Sequence, residues 1–577
     1  MKKMKRTLAL LLAACMLLGL LAACDSGEKP SEGPDTPDPS GTPVIVDEEY
    51  PITPEELGSG EVKWSEEKTA DGWMKVTNDG GETLGFSPDS GVKLIQVGGY
   101  AFKDLNRNGK LDLYEDWRQE DEARAEDLAK VMNPNQISGL MVYAGGLNNN
   151  ISGKLDETQT AALDDDVRSM GASSPTYEIK DQAEWFNAMQ TYVEGLGYGI
   201  PVMLACDPRN SGWGIGLSHY PDNMALAATF TPELAREAME QLSKEYRASG
   251  LGTLLGSQID LATEPRWGRN SATFSEDPAL ARDMANAAIS GLQSTYDENG
   301  NDLGWGLDSL NAMMKHFPSD GAAQSGREAH DSTGSFNIYP GDSFQSHLIP
   351  FVDGALNLDS KTGMASAAMM SYSIAWSEDE EYGELVGSAF SEYKVQLLRS
   401  YGFDGVICTD WQVIDDNGKC WGVEDLSQAE RVEKALLAGV DQFGGNSVGD
   451  IRPGIDLLIE NMGEEAATER LQDSARRLLK NYFQIGLFEN PYLDVAASVA
   501  LVYSHNEEGY EMQEKTVVML KNDGAISENT GDEKPTVYVP LVYTPATEGF
   551  VGQNFYSADL PVSMDILEPI QCFSAYR

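Results

Sequence analysis

The stretch YGFDGVICTDWQV, residues 401–413, decides how this chain is read. It opens on a glycine-containing turn, enters the short apolar run Gly405-Val406-Ile407-Cys408 and stops on Thr409-Asp410-Trp411. Such a run predicts a buried parallel strand that displays a carboxylate at its carboxyl end, beside a large aromatic ring. In closed α/β barrels that end of a strand carries catalytic groups, so Asp410 reads as a chemical residue. The competing reading makes Asp410 the cap of a following helix. Spacing alone leaves both open.

Upstream and downstream, helical patterns alternate with short apolar segments, the rhythm of a parallel α/β fold. The segments lie at 139–143, 201–205, 251–255, 312–314, 368–372, 406–408 and 438–441. That is one short of a closed eight-stranded barrel. The missing strand is expected between 147 and 200, the alternative being an irregular barrel. An amphipathic run over 464–485, stopped by Gly486, predicts a closing helix. The fold expected over 119–490 is therefore a (β/α)8 TIM-like barrel.

Several strand ends before Asp410 carry polar groups: Asp207 in GIPVMLACDP, Arg269 in EPRWGR, Lys315 and His316 in MKHF, and Tyr372 in MMSYS. Each has a plainer reading. Asp207 could open a turn before Pro208, His316 could be structural, and Trp411 could belong to the core.

Taken together, Leu397-Leu398-Arg399, GFDG at 402–405 and Thr409-Asp410-Trp411 resemble a signature of glycoside hydrolase family 3, in its β-glucosidase-like form. The spacing between LLR and GFDG is one residue short of the usual form, in a helix-to-strand loop where length varies easily. The resemblance implies that Asp410 is the nucleophile of a retaining β-glycosidase. It implies that Asp207 grips distal hydroxyls of the terminal sugar, and that Arg269, Lys315 and His316 contact hydroxyls. Tyr372 would lie near the nucleophile, and Trp411 would wall the subsite. Ala272 stands where the motif often has an acidic residue, which leaves one contact unfilled. KHFPSDG has Asp320 where the N-acetylglucosaminidase branch has its second His, so that branch fits poorly.

Retention needs a second carboxyl about 5–5.5 Å from the nucleophile to protonate the leaving oxygen. In most of the family this is a Glu from a second, α/β sandwich domain. Residues 508–522 look helical and resemble the entry into that domain, with a first strand expected at 535–540. Residues 491–577 thus read as a linker and the start of a truncated sandwich, and the acid/base residue is unknown. The implied activity is exo-acting release of terminal β-D-glucosyl residues from an oligosaccharide or β-glucoside, with no catalytic cofactor. The alternatives are a β-N-acetylhexosaminidase, a β-xylosidase, or a carbohydrate-binding surface lipoprotein with little turnover.

The sequence has 577 residues, 41% of them hydrophobic, enough for about two to four domains. Asp and Glu number 92 against 42 Lys and Arg, a net charge of −50 that would repel a phosphate backbone, so nucleic acid is not expected as a partner. Lys2, Lys3, Lys5 and Arg6 precede an apolar run from Leu8 to Leu21 and then Ala22-Ala23-Cys24, the pattern of a secretory signal over 1–24. Leu21-Ala22-Ala23-Cys24 also resembles the bacterial lipobox, which implies lipidation of Cys24 and an exported, membrane-anchored protein outside the cytoplasm. The alternatives are ordinary cleavage and an uncleaved anchor. Residues 25–46, rich in Pro, Gly, Ser and acidic residues, read as a disordered tether. No disulfide framework is expected: Cys206 and Cys408 sit in apolar runs, and Cys420 and Cys572 are undecided.

The remaining N-terminal extension, 47–118, looks β-rich and ends in DLNRNGKLDLYE at 104–115. Asp104, Asn106, Asn108, Asp112 and Glu115 fall at positions 1, 3, 5, 9 and 12 of a calcium loop, with Gly109 at 6 and the Lys110 carbonyl at 7. A structural Ca2+ is expected there. Gly98-Gly99-Tyr100 before it does not look helical, so this is a calcium loop rather than a full EF-hand. A subset of the family resembled carries such a loop before its barrel.

Overall fold

In the computed structural model, which describes residues 60–145, 147, 151, 153–171, 178–207, 217–416, 419–502 and 504–524, eight parallel strands close on one another in chain order. They are β1 (Val142–Ala144), β2 (Ser169–Gly171), β3 (Met203–Cys206), β4 (Leu251–Leu254), β5 (Asn311–Phe317), β6 (Ala367–Met370), β7 (Val406–Trp411) and β8 (Gln442–Gly444). The eighth strand, β2, falls in the interval where one was expected, so the fold is a (β/α)8 TIM-like barrel. Every residue of β5 is buried, as is β7 through Asp410. Strands buried on both faces read as unbroken runs rather than alternations.

The helices between strands bury one stripe each. In Pro232–Ala248, Ala235, Ala238, Met239, Leu242 and Tyr246 repeat at helical spacing and are buried. The closing helix runs Glu464–Gln484 and ends before Gly486, whose φ of +69° a side chain would resist.

Three sequence expectations are corrected. The last strand was expected at 438–441 and forms at Gln442–Gly444 instead. Helix Gln428–Ala438 is held open at its start by a Ser427/Glu430 capping box and stopped by left-handed Gly439, so the strand begins later. The first strand begins at Val142 because 139–140 belong to helix Pro134–Leu140. Helix 508–522 shrinks to Asn506–Lys515, since the β-branched run Thr516-Val517-Val518 is a poor helix former. Asp410 lies within β7 and caps nothing; the next helix is capped by Ser427.

Before the barrel come an antiparallel sheet, Trp64–Lys68, Met74–Asn78 and Thr83–Phe86, and a hairpin, Lys93–Val97 with Tyr100–Asp104. Buried Glu194, at the end of helix Ile179–Glu194, ties this layer down. It accepts from Ser87 N at 2.8 Å and Tyr492 Oη at 2.7 Å, and pairs with Lys103 Nζ at 3.5 Å. Cys206, Cys408 and Cys420 are free and buried. The chain divides into one unit ending at Thr516 and a second from Val517, of which 517–524 are described. The signal, the tether and the strand expected at 535–540 lie outside the described residues.

Asp441 anchors the base of the barrel. Its side chain is fully buried. It accepts from Ile407 N at 2.9 Å, Arg399 Nη2 at 2.6 Å and Ser474 Oγ at 2.6 Å, with Arg477 Nη1 at 3.4 Å. It thus joins β7, β8 and the closing helix. Burial alone would raise its carboxyl, but the charges of Arg399, Arg477 and Arg470 outweigh this and hold it below the ordinary range. A carboxyl depressed on folding adds stability above its unfolded pKa of about 3.9 and loses it as pH falls through the folded value. Asp441→Ala should therefore cost about 3–5 kcal/mol in urea unfolding at pH 7, because it strands buried guanidiniums. The loss should narrow below about pH 4.

Candidate active site

The carboxyl ends of β3 to β7 meet in one polar cluster. β7 carries Asp410 there, 6% exposed, with Oδ1 accepting from Trp411 N at 2.7 Å. Its Oδ2 is buried without a hydrogen-bond partner and lies 3.8 Å from His316 Nε2. One carboxylate oxygen is fixed by its own strand while the other is left without a hydrogen-bond partner. The chain then turns sharply at Gln412, φ +62°, whose N–H donates to Gly444 O at 2.8 Å.

Trp411 is half-buried against the Tyr143 ring, with centroids 5.6 Å apart. Gly444 and Gly445 make room for it, since a Cβ at either would stand 2.6 Å from an indole carbon. Tyr372, two residues past β6, is buried and donates from Oη to Trp411 O at 2.7 Å. Burial and then the charge of Asp410 beside it raise its hydroxyl far above the usual range. It stays a neutral donor.

At the end of β5, Lys315 and His316 point to different partners. Lys315 Nζ pairs with Asp207 Oδ1 at 2.7 Å, linking β5 to the end of β3; Asp207 remains 45% exposed and Lys315 is buried. His316 is fully enclosed. Its Nδ1 lies 2.9 Å from Asp260 Oδ2 and 3.5 Å from Asp320 Oδ2, and its Nε2 lies 3.2 Å from Arg269 Nη2. Burial, then the Arg269 charge, push its imidazole down to about 3, so it is neutral at physiological pH.

Arg269, from the loop after β4, is the pocket's buried cation. Nη2 donates to Gln258 Oε1 at 3.1 Å, while Nε and Nη1 are buried with no hydrogen-bond partner. Burial would lower its affinity for the proton, but Asp320, Glu328, Asp410 and Asp260 around it raise it. Glu328 Oε1 stands 3.8 Å from Arg269 Nη1 and 3.0 Å from His330 Nδ1. Burial works against the Glu328 charge, yet His330 and Arg269 win and hold its carboxyl at about 2. Asp320 is buried, and Ser371 and Ser373 donate to its Oδ1.

The structure thus gathers Asp410, His316, Arg269, Tyr372 and Trp411 into one connected cluster, with the Lys315–Asp207 pair beside it. Sequence reasoning missed Asp260, Gln258 and Glu328. Asp260 carries a legible signal, an acid flanked by Ile259 and Leu261 just past β4, the same arrangement that drew notice to Asp410. Glu328 sits in a long loop with no such context.

A closed parallel barrel with a half-free carboxylate, a forked cation and a neutral imidazole at its carboxyl face is the architecture of a barrel glycoside hydrolase. Residues 117–480 match the description "Glycosyl hydrolase family 3 N terminal domain", and the chain belongs to glycosyl hydrolase family 3. It is 34% identical over 476 residues to a periplasmic beta-glucosidase/beta-xylosidase of Dickeya chrysanthemi, covering 76% of this chain and 70% of that one. It is 31% identical over 451 residues to beta-glucosidase C of Emericella nidulans, covering 73% and 69%. A solved β-glucosidase structure from Erythrobacter marinus superposes with a TM-score of 0.59 at 24% identity, over 72% of this chain and 52% of that one. The chain therefore spans about half the length of that solved structure.

Proposed function

We propose that this chain is an exo-acting, retaining β-glycosidase, most directly a β-glucosidase, in which Asp410 attacks the anomeric carbon of a terminal non-reducing sugar. The observation that carries this reading is the buried Oδ2 of Asp410, without a hydrogen-bond partner, in the same cluster as Arg269, two of whose donor nitrogens also lack one. In the first step Oδ2 forms an ester bond to the anomeric carbon as the bond to the leaving oxygen breaks. In the second, water attacks from the face the leaving group vacated, opposite Asp410, giving up its proton as the Asp410 carboxylate is released, so two inversions retain the configuration. The carboxylate of Asp207 and the ammonium of Lys315 suit sugar hydroxyls as acceptor and donor, and Arg269 suits a vicinal pair. The free indole face of Trp411 would stack on the apolar side of the ring. A dinitrophenyl leaving group departs without protonation, so it tests Asp410 apart from any general acid. With dinitrophenyl β-glucoside the first product seen by NMR should be β-glucose; α-glucose first would mean inversion. Asp410→Asn should lower turnover about 10^4-fold or more. The names of the two curated relatives favour glucoside, with xyloside as the second substrate to assay; a preference for the N-acetylglucosaminide would contradict the assignment.

A structural Ca2+ in the 104–115 loop is a second part of the reading. Among the described residues no three His, Cys, Asp or Glu side chains are drawn round a metal position. The loop carboxylates are turned to local amides instead: Gly109 N donates to Asp104 Oδ2 at 3.1 Å, and Leu105 N to Glu115 Oε1 at 2.7 Å. Yet Asp104 Oδ1 is buried and unpartnered. Burial, with mutual repulsion, raises Asp104 to about 6 and Glu115 well above its usual range. Hard oxygen donors under that strain fit a bound cation, which would relieve it. Asn106, Asn108, Asp112 and the Lys110 carbonyl would complete the shell. Chelator should lower the melting temperature of the wild type and leave Asp104→Ala unmoved; equal melting with and without chelator in the wild type would refute the ion.

The address completes the proposal: export and a lipid on Cys24, which lies outside the described residues. The basic head, apolar run and lipobox support it, as do the periplasmic names of relatives from Dickeya chrysanthemi and Salmonella typhimurium. Labelled palmitate should enter the wild type and not Cys24→Ala. Equal labelling would rule out this anchor.

A further inference from the structure

Asp260 is fully buried, takes no place on the pocket wall, and yet collects three donors from the segment that carries His316. Its Oδ1 accepts from Asp320 N at 2.6 Å and from His316 N at 3.2 Å. Its Oδ2 meets His316 Nδ1 at 2.9 Å. On the other side of the ring, Nε2 meets Arg269 Nη2 at 3.2 Å. A guanidinium has only donors, so this contact is a hydrogen bond only if Nε2 carries the lone pair. The imidazole is neutral, so its one proton must then sit on Nδ1, facing Asp260.

We propose that Asp260 is a positioning residue: by holding the proton of His316 on Nδ1, it makes Nε2 the acceptor that aims Arg269 at the sugar. Both hydrogens of Arg269 Nη2 are then occupied, one by Gln258 Oε1 and one by His316 Nε2. Nε and Nη1, buried and without hydrogen-bond partners, with Glu328 3.8 Å from Nη1, are left to donate to sugar hydroxyls. This deepens the glycosidase reading and rests on it for the ligand, though not for the tautomer. It also gives His316 a different task from direct donation to a hydroxyl, because a ring with its proton on Nδ1 has nothing to donate from Nε2. The charged groups facing His316 are Asp260 and Asp320 on the Nδ1 side, Arg269 and Asp410 on the Nε2 side, and its neighbour Lys315. A carboxylate bonded to the far ring nitrogen fixes an imidazole tautomer in this way at metal and catalytic sites.

The geometry makes one substitution unusually informative. In Asp260→Asn the Oδ1 position must stay an acceptor, because two backbone N–H groups point at it. The amide nitrogen must therefore take the Oδ2 position and donate to Nδ1. That drives the ring proton to Nε2, where it confronts Arg269 Nη2, donor against donor. Asp260→Ala removes the acceptor and costs more stability, but leaves the ring free to keep its lone pair toward Arg269. A purely structural role for Asp260 predicts that Ala harms sugar binding more than the isosteric Asn. The proposal predicts the reverse.

The test uses the full chain with 15N-labelled histidine, His316 being assigned by the signal lost in His316→Gln. Without any sugar, wild-type His316 should show a protonated Nδ1 and a lone-pair Nε2 from pH 5 to 8, and Asp260→Asn should exchange them. For an aryl β-glucoside, KM of Asp260→Asn should rise about 10- to 100-fold, the loss of a charged hydrogen-bond donor, and exceed that of Asp260→Ala. A wild-type ring protonated on Nε2 overturns the proposal whatever the variants do, and so does a larger KM for Ala than for Asn. Because the tautomer is read without ligand, failure of the glycosidase reading, seen as no turnover of any aryl glycoside by the wild type, is a separate result.

Discussion

A guanidinium buried among four carboxylates is the constraint on which this site depends. Arg269 faces Asp260, Asp320, Glu328 and Asp410, and only the low-dielectric setting makes so few charges decisive. Each carboxylate has a second support: backbone N–H groups for Asp260 and Asp410, serine hydroxyls for Asp320, His330 and Trp267 for Glu328. Even so, burial raises Asp260, and burial with the charges of Asp260 and Glu328 raises Asp320, above the usual carboxyl range. The Arg269 charge opposes both shifts. Burial first, and then the same cation, keep His316 neutral. The pocket is thus one electrostatic unit rather than a row of independent sugar contacts.

The barrel supplies the rigidity that such a unit needs. Asp410 and its neighbour Trp411 are held at the end of a fully buried strand whose base is locked by Asp441 and three arginines. Charge at the bottom of the barrel serves stability and charge at the top serves chemistry, separated by apolar strand. The two clusters use the same means, desolvated carboxylates against guanidiniums, with opposite outcomes. At the base both oxygens of Asp441 are spent on partners. At the top one oxygen of Asp410 and two nitrogens of Arg269 are kept back.

Much of this was legible in the sequence. Strands buried on both faces announce themselves as apolar runs, and polar residues at their carboxyl ends drew attention to Asp207, His316, Tyr372 and Asp410. The strand at Ser169–Gly171 could be placed only by elimination, because it is three residues long and preceded by Arg168. That arginine is buried nonetheless, its N–H groups donating to the carbonyls of Leu163, Val167 and Ile200. A charged residue satisfied mostly by main chain, with Asp166 Oδ1 at 3.3 Å from Nη2, leaves no apolar trace. Glu328 was hidden for a related reason: its role comes from a loop fold that brings it back over Arg269, and no periodicity encodes that return. Strand limits were missed where a helix overran them, as Gly439 shows.

The central claim is that Asp410 Oδ2 is the attacking atom, and covalent trapping tests it most directly. A 2-deoxy-2-fluoro-β-glucosyl fluoride loses fluoride readily, while the fluorine at C2 disfavours the oxocarbenium-like state needed to hydrolyse the ester that forms. Incubation should add one fluoroglucosyl group to the intact protein, and peptide mapping should place it on Asp410. A label on any other residue, or an unlabelled protein that still turns over dinitrophenyl β-glucoside, would contradict the account.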